Sequence, residues 1–160
     1  MKTTILVYAF TLCLASLNAL IPPPISTSYE LAEAVVAALQ HESVDDYEKL
    51  IPTSKELGQL VEDNQDFYGT HLMEAKAELQ LNYTANTIPE MKRTFELVIE
   101  QGKKKGIDWS KVQLESVKFG ATENDIHIVL NYSGNHFQLR LEKVLRIKGE
   151  WRATQFITLV

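Results

Sequence analysis

Upstream of Trp109 the apolar residues recur every three or four positions, and downstream of it they alternate. The first pattern belongs to helices buried along one stripe, the second to strands buried on one face. A single change of this kind, with no return, predicts an α+β domain in which N-terminal helices pack on the apolar face of an antiparallel sheet.

Cap residues divide the helical part. Thr27 and Glu30 have capping-box spacing, and Leu31, Ala34, Val35, Ala38 and Leu39 follow on one face. A short second helix is expected from Ser43, with Asp45 and Asp46 in its first turn, where negative charge suits the helix dipole. Tyr47, Leu50 and Ile51 form its buried side and Pro52 ends it. Thr53 and Glu56 repeat the box ahead of Leu57, Leu60 and Val61, and Leu72, Ala75, Lys76 and Leu79 mark a fourth helix. Thr87 and Glu90 make a third box, with Pro89 in the first turn and Ile88, Met91, Phe95, Val98 and Ile99 along one side. That helix should end near Gly102 or Gly106, with Lys103, Lys104 and Lys105 offsetting the negative pole of its dipole.

In the β part, Val112 and Leu114, with Val117 or Phe119, open the first strand. Ile126, Ile128, Leu130 and Tyr132 then form an apolar face opposite His127, Val129 and Asn131. Phe137, Leu139, Leu141, Leu145 and Ile147 hold one phase and predict a long strand broken only at Lys143, and a final strand is expected over Trp151 to Val160. Ser133-Gly134-Asn135 and Lys148-Gly149 are short enough for hairpins, so the last three strands should form a meander. The first strand joins it through the longer turn from Gly120 to Asp125, giving four strands in all.

The order of these elements, the long helix before a curved meander and the Gly149-Glu150-Trp151 hairpin leading into the last strand resemble the cystatin-like roll, and within it the nuclear-transport-factor-two-like superfamily. The resemblance covers most of residues 27–160 and is one of architecture. Members place a strand pair between their helices, which here would fall at Ala77 to Thr84. The Gln-x-Val-x-Gly hairpin of the cystatin inhibitors is absent. The resemblance permits a small cofactor-free enzyme of the SnoaL-like or ketosteroid-isomerase-like kind, which would need a buried carboxylate or histidine in the cone between helix and sheet.

The N-terminus reads as an export signal. Lys2 precedes an apolar run from Ile5 through Leu17, and small residues stand towards its end at Ala15 and beyond it at Ala19. The run is shorter than the ~20 residues of a membrane span. Cleavage is expected after Ala19, leaving 20–26 as a proline-rich lead and 27–160 as one domain, periplasmic or secreted, with no stable membrane span. Cys13 does not fit a lipoprotein signal, because Leu12 stands where a small residue is required and Cys13 lies within the apolar run. It is the chain's one cysteine, so the mature protein would have no disulfide, thiolate metal site or cysteine nucleophile. The chain carries 16 basic and 21 acidic residues, a net charge of −5, which disfavours nucleic acid as a partner.

No motif fixes a chemistry. His41, His71, His127 and His136 include no pair with ligand spacing on one element, although His127 and His136 flank the Gly134 hairpin. No metal or cofactor is expected. Candidates for an acid or base are Glu115, His127, Tyr132 and Arg140, and those for a pocket wall or core are Phe95, Trp109, Tyr132, Phe137 and Trp151. Phe95, Trp109, His127, Tyr132, Phe137 and Arg140 make up the candidate ligand-binding set. Asn82-Tyr83-Thr84 and Asn131-Tyr132-Ser133 match the N-glycosylation pattern, the second in a strand. The expected function is that of a non-catalytic binding domain for a small apolar molecule or a protein partner, with a homodimer through the sheet as one arrangement.

Overall fold

The computed structural model describes residues 24–160. The apolar run, Cys13, the expected cut after Ala19 and residues 20–23 of the lead lie outside the described residues. Among the described residues no helix is long and apolar enough to cross a membrane.

Helices come first. Helix α1 (Ser28–Gln40) starts at the expected capping box: the Thr27 hydroxyl accepts from the Glu30 amide at 3.1 Å, and the Glu30 carboxylate accepts from the Thr27 amide at 3.0 Å. Helix α2 (Val44–Glu48) is capped by Ser43, and α3 (Ser54–Asp63) by the reciprocal pair Thr53 and Glu56. A short helix α4 (Gln65–Tyr68), a 3-10 turn over Gly69–His71 and α5 (Leu72–Glu78) lead into a π-helical segment, Leu79–Thr87. This segment runs directly into α6 (Ile88–Lys104).

That continuity removes the third capping box. Thr87 has helical backbone angles and makes no side-chain cap, and the Ile88 amide already bonds to the Tyr83 carbonyl. The N–H groups that a cap would satisfy belong to the preceding turn, and Glu90 instead holds Arg93 at 2.6 and 2.8 Å. Continuity also places helix, not a strand pair, at Ala77 to Thr84. The far end of α6 closes at Gly106 (φ +79°), with the Ile107 amide on the Gly102 carbonyl and the Gly106 amide on that of Lys103. Only a residue free to adopt positive φ makes this cap without strain.

The strands are β1 (Gln113–Phe119), β2 (Ile126–Tyr132), β3 (Asn135–Leu141), β4 (Val144–Ile147), β5 (Glu150–Ala153) and β6 (Ile157–Leu159). The first three and the last form one antiparallel sheet in the order β1-β2-β3-β6, and β4 and β5 form a separate hairpin. The long strand expected from Phe137 to Ile147 is therefore two strands, and the final strand is also two. Lys143 sits at φ +51°, a left-handed conformation that ends an extended strand. Its carbonyl accepts from the Thr154 amide at 3.1 Å, which folds the hairpin back so that β6 takes the place beside β3. Both hairpin turns have two residues at positive φ, Ser133-Gly134 and Lys148-Gly149, the geometry that matches strand twist.

Ile126, Ile128, Leu130, Leu139, Leu141 and Ile157 face the helices and are at most 1 % exposed. Helix α6 packs on β6 and α1 on β1. Met91, Phe95, Val98 and Ile99 of α6 and Leu31, Val35 and Leu39 of α1 join them in one hydrophobic cluster. The molecule is thus an α+β fold, with helices on a four-stranded antiparallel sheet.

Candidate binding groove

The six candidate ligand-binding residues divide between the two faces of the sheet. Phe95 is fully buried and stacks on Tyr47 with ring centroids 4.3 Å apart. Trp109 is 1 % exposed, donates from Nε1 to the Ile99 carbonyl at 3.0 Å and meets the edge of Phe137 at 5.9 Å. Its ring lies against Gly102, where a Cβ would come within 2.2 Å of it, so the glycine is what admits the indole to α6. Tyr132 and Phe137 pack against the same cluster, half-buried. These four belong to the hydrophobic core.

His127 and Arg140 lie on the outer face, opposite each other in the β2–β3 register. Arg140 grips Asp125 with two hydrogen bonds, Nε to Oδ1 at 3.0 Å and Nη2 to Oδ2 at 2.8 Å. This guanidinium holds the Asp125 carboxyl below the usual carboxylate range, against the opposing effect of burial. His127 Nε2 stands 3.7 Å from Asp125 Oδ1, and its Nδ1 is 3.5 Å from Gln138 Oε1. The turn into β2 leaves room for the same carboxylate, because a Cβ on Gly120 would lie 2.4 Å from Asp125 Oδ2. The cluster ties the turn to β3.

The other candidates stay apart. His136 faces Asn131, not His127, in the register, and binds Glu115 at 2.6 Å. The two histidines sit four residues apart along the strand direction, roughly 13 Å, too far to share a metal ion. His41 lies 3.8 Å from Asp46, and His71 binds Glu74 at 2.9 Å. Lys103 pairs with Glu42, and Lys104 lies 3.8 Å from Glu100. Of the two glycosylation patterns, Asn82 is exposed on the π-helical segment, whereas the Asn131 side chain accepts from the Gly134 amide at 3.2 Å. Among the described residues no group of three His, Cys, Asp or Glu side chains converges on a metal position.

A groove of about 870 Å³ opens elsewhere, between α1, α2 and β5. Its floor is Ala34, Ala37 and Ala38 on α1 with Leu50 beyond α2. Alanines at this spacing share a helix face and leave a shallow apolar trough. Glu30 and Glu33 form one rim on α1, and Asp46 with Lys49, and Glu150 with Arg152, form the others. Lys49 donates to Asp46 at 2.6 Å, and Arg152 donates to Glu150 at 2.6 Å and Glu56 at 3.3 Å.

Backbone bonds close the β5 side. The Trp151 amide donates to the Ile25 carbonyl at 2.8 Å and the Ala153 amide to the Leu50 carbonyl at 3.0 Å. Alternation along β5 sends Glu150 and Arg152 to the groove and Trp151 to a second hollow of about 440 Å³, shared with Phe119 and Gly120 to Glu123. The sequence pointed to none of this, since the helical period marks Ala34 and Ala38 as core. The available signal was negative: Ala37 and Glu33 flank that stripe, and a small residue on a helix flank leaves room above it.

Compared with family models, with curated proteins and with solved structures, the chain has no match.

Proposed function

We propose that the protein is an exported, non-catalytic binding domain and that its ligand seats an apolar part on the alanine floor of the α1–α2–β5 groove. The observation that carries this reading is the contrast between groove and interior. The space between α6 and the sheet is occupied by Phe95, Trp109 and the sheet's own aliphatic residues, at most 1 % exposed. The groove is open, apolar at its base and polar at its rim, and its volume falls in the range of about 300–1,000 Å³ common for small-molecule sites.

Likeness to the cystatin-like roll and the nuclear-transport-factor-two-like superfamily belongs to the same proposal. Its support is the order of helices before an antiparallel sheet with the longest helix packed on it. Enzymes of that kind need an acid or base in the interior. Among the described residues the buried charged side chain is Asp125, on the outer side, with both oxygens taken by Arg140. Pairing of two copies through the sheet finds little support at β1, where a bulge at Glu115 and the outward Lys118 disrupt a free edge.

Titration of the isotope-labelled protein with 1-hexanol, a neutral apolar probe, tests the site. Amide shifts confined to Ala34, Ala37, Ala38 and Leu50 are the expected result. Shifts centred on Phe95, Trp109 and Phe137 would place the ligand in the interior and overturn the assignment to the groove.

A further inference from the structure

We infer that the groove selects a cationic amphiphile, a small molecule with a primary ammonium on a short apolar body, and that Glu33 is the residue that confers the selection. The inference rests on the groove being the binding site. Its argument is the charge left over after the rim has paired with itself. Lys49 is committed to Asp46, and Arg152 to Glu150 and Glu56. His41 also stands against Asp46, at 3.8 Å. Glu30 and Glu33 are the remaining carboxylates of the rim, both on α1. Glu30 accepts from neutral donors, the amide and hydroxyl of Ser26 and the amide of Thr27, and is paired with no cation among the described residues. Glu33 is exposed and has no ion-pair partner among the described residues.

One turn of helix separates Glu30 from Glu33, so the two carboxylates act at the same end of the alanine floor. A positive group there would face two anions while its apolar body lay over Ala34 and Ala37. The closed backbone of β5 decides between a small molecule and an extended peptide. A peptide strand binds by adding to a sheet edge through main-chain donors and acceptors, and the outward amides of β5 are already taken by Ile25 and Leu50. What remains for recognition is side-chain charge and apolar floor, the features an alkylammonium ion uses.

The test compares hexylammonium, hexanoate and 1-hexanol on the full mature chain, by amide shift titration at low salt. Hexylammonium should bind about five- to tenfold more tightly than hexanoate, and the gap should narrow in molar salt. Glu33→Gln, which leaves the Glu30 cap of α1 untouched, should weaken hexylammonium about two- to fivefold and leave 1-hexanol unchanged. Binding of 1-hexanol at the groove without preference for the ammonium would overturn this inference and keep the groove. A hexylammonium affinity unaffected by Glu33→Gln would also overturn it. If none of the three probes perturbs the groove, both the selection and the site fall.

Discussion

Arg140 illustrates how a surface-facing side chain can matter to the fold. It neutralises Asp125, whose side chain is only 11 % exposed, while 42 % of its own remains in water. A carboxyl whose folded pKa is lowered contributes stability at neutral pH, and that contribution is lost as pH falls through the lowered value. Arg140→Ala should therefore destabilise the protein near pH 7, by an amount that the water around the well-solvated arginine keeps small. Below about pH 4, where an ordinary aspartate protonates, the gap from the parent should close. Urea midpoints for both proteins between about pH 3 and 7 check this, and a gap independent of pH would show that the ion pair contributes nothing. Two buried tyrosines make a second comparison. The Tyr83 hydroxyl donates to the Pro52 carbonyl at 2.9 Å, whereas that of Tyr47 has no partner among the described residues. Tyr83→Phe should cost about 1 kcal/mol in thermal or urea unfolding, and Tyr47→Phe should be neutral or stabilising. Alternation along β2 put His127 on the mixed face, but the pairing of Asp125 with Arg140 was not legible. It depends on a turn conformation and a register that no local pattern encodes.

Elements differ in how firmly they are held. Neither α4 nor α5 contains a buried residue, and Phe67, Met73 and Leu81 on this arm are 85, 73 and 70 % exposed. In β2, Ile126, Ile128 and Leu130 are fully buried. Native-state hydrogen exchange should show residues 65–78 opening locally, well before β2, which should exchange only with global unfolding. Equal protection of the two would contradict that division. The same contrast explains what could be read in advance. Capping boxes at Thr27 and Thr53 were legible because a loop precedes each helix, so the amides they satisfy are free. The Thr87 box failed because nothing in its own residues reveals that the preceding segment is already helical. Phe137 to Ile147 kept one apolar phase across Lys143, and phase alone does not register a residue at positive φ. Where β6 pairs was also hidden, since the chain leaves the sheet and returns.

On the scale of the whole molecule, one cluster of buried residues links α1, α2, α6 and strands β2 to β6, includes Tyr47, Phe95 and Trp109, and is covered at β1 by the half-buried Leu114 and Val117. The switch of apolar period at Trp109 was enough to give this architecture, because it specifies which faces must meet. The groove was not, because it is made by what α1 leaves unfilled beside β5. The export reading makes its own prediction: protein recovered outside the producing cell should have the mass of a chain beginning at Leu20, and an intact N-terminal methionine would refute it.

Finally, the bond between the Trp151 amide and the Ile25 carbonyl fastens the first described turn of the chain to a strand near its last. Strand β6, which completes the sheet beside β3 and lies against α6, comes later still. During synthesis the helices emerge first and wait for partners that do not yet exist. Contacts spanning most of the sequence form last and slow the final step. A chain built on this schedule cannot complete its sheet until almost all of it has been made.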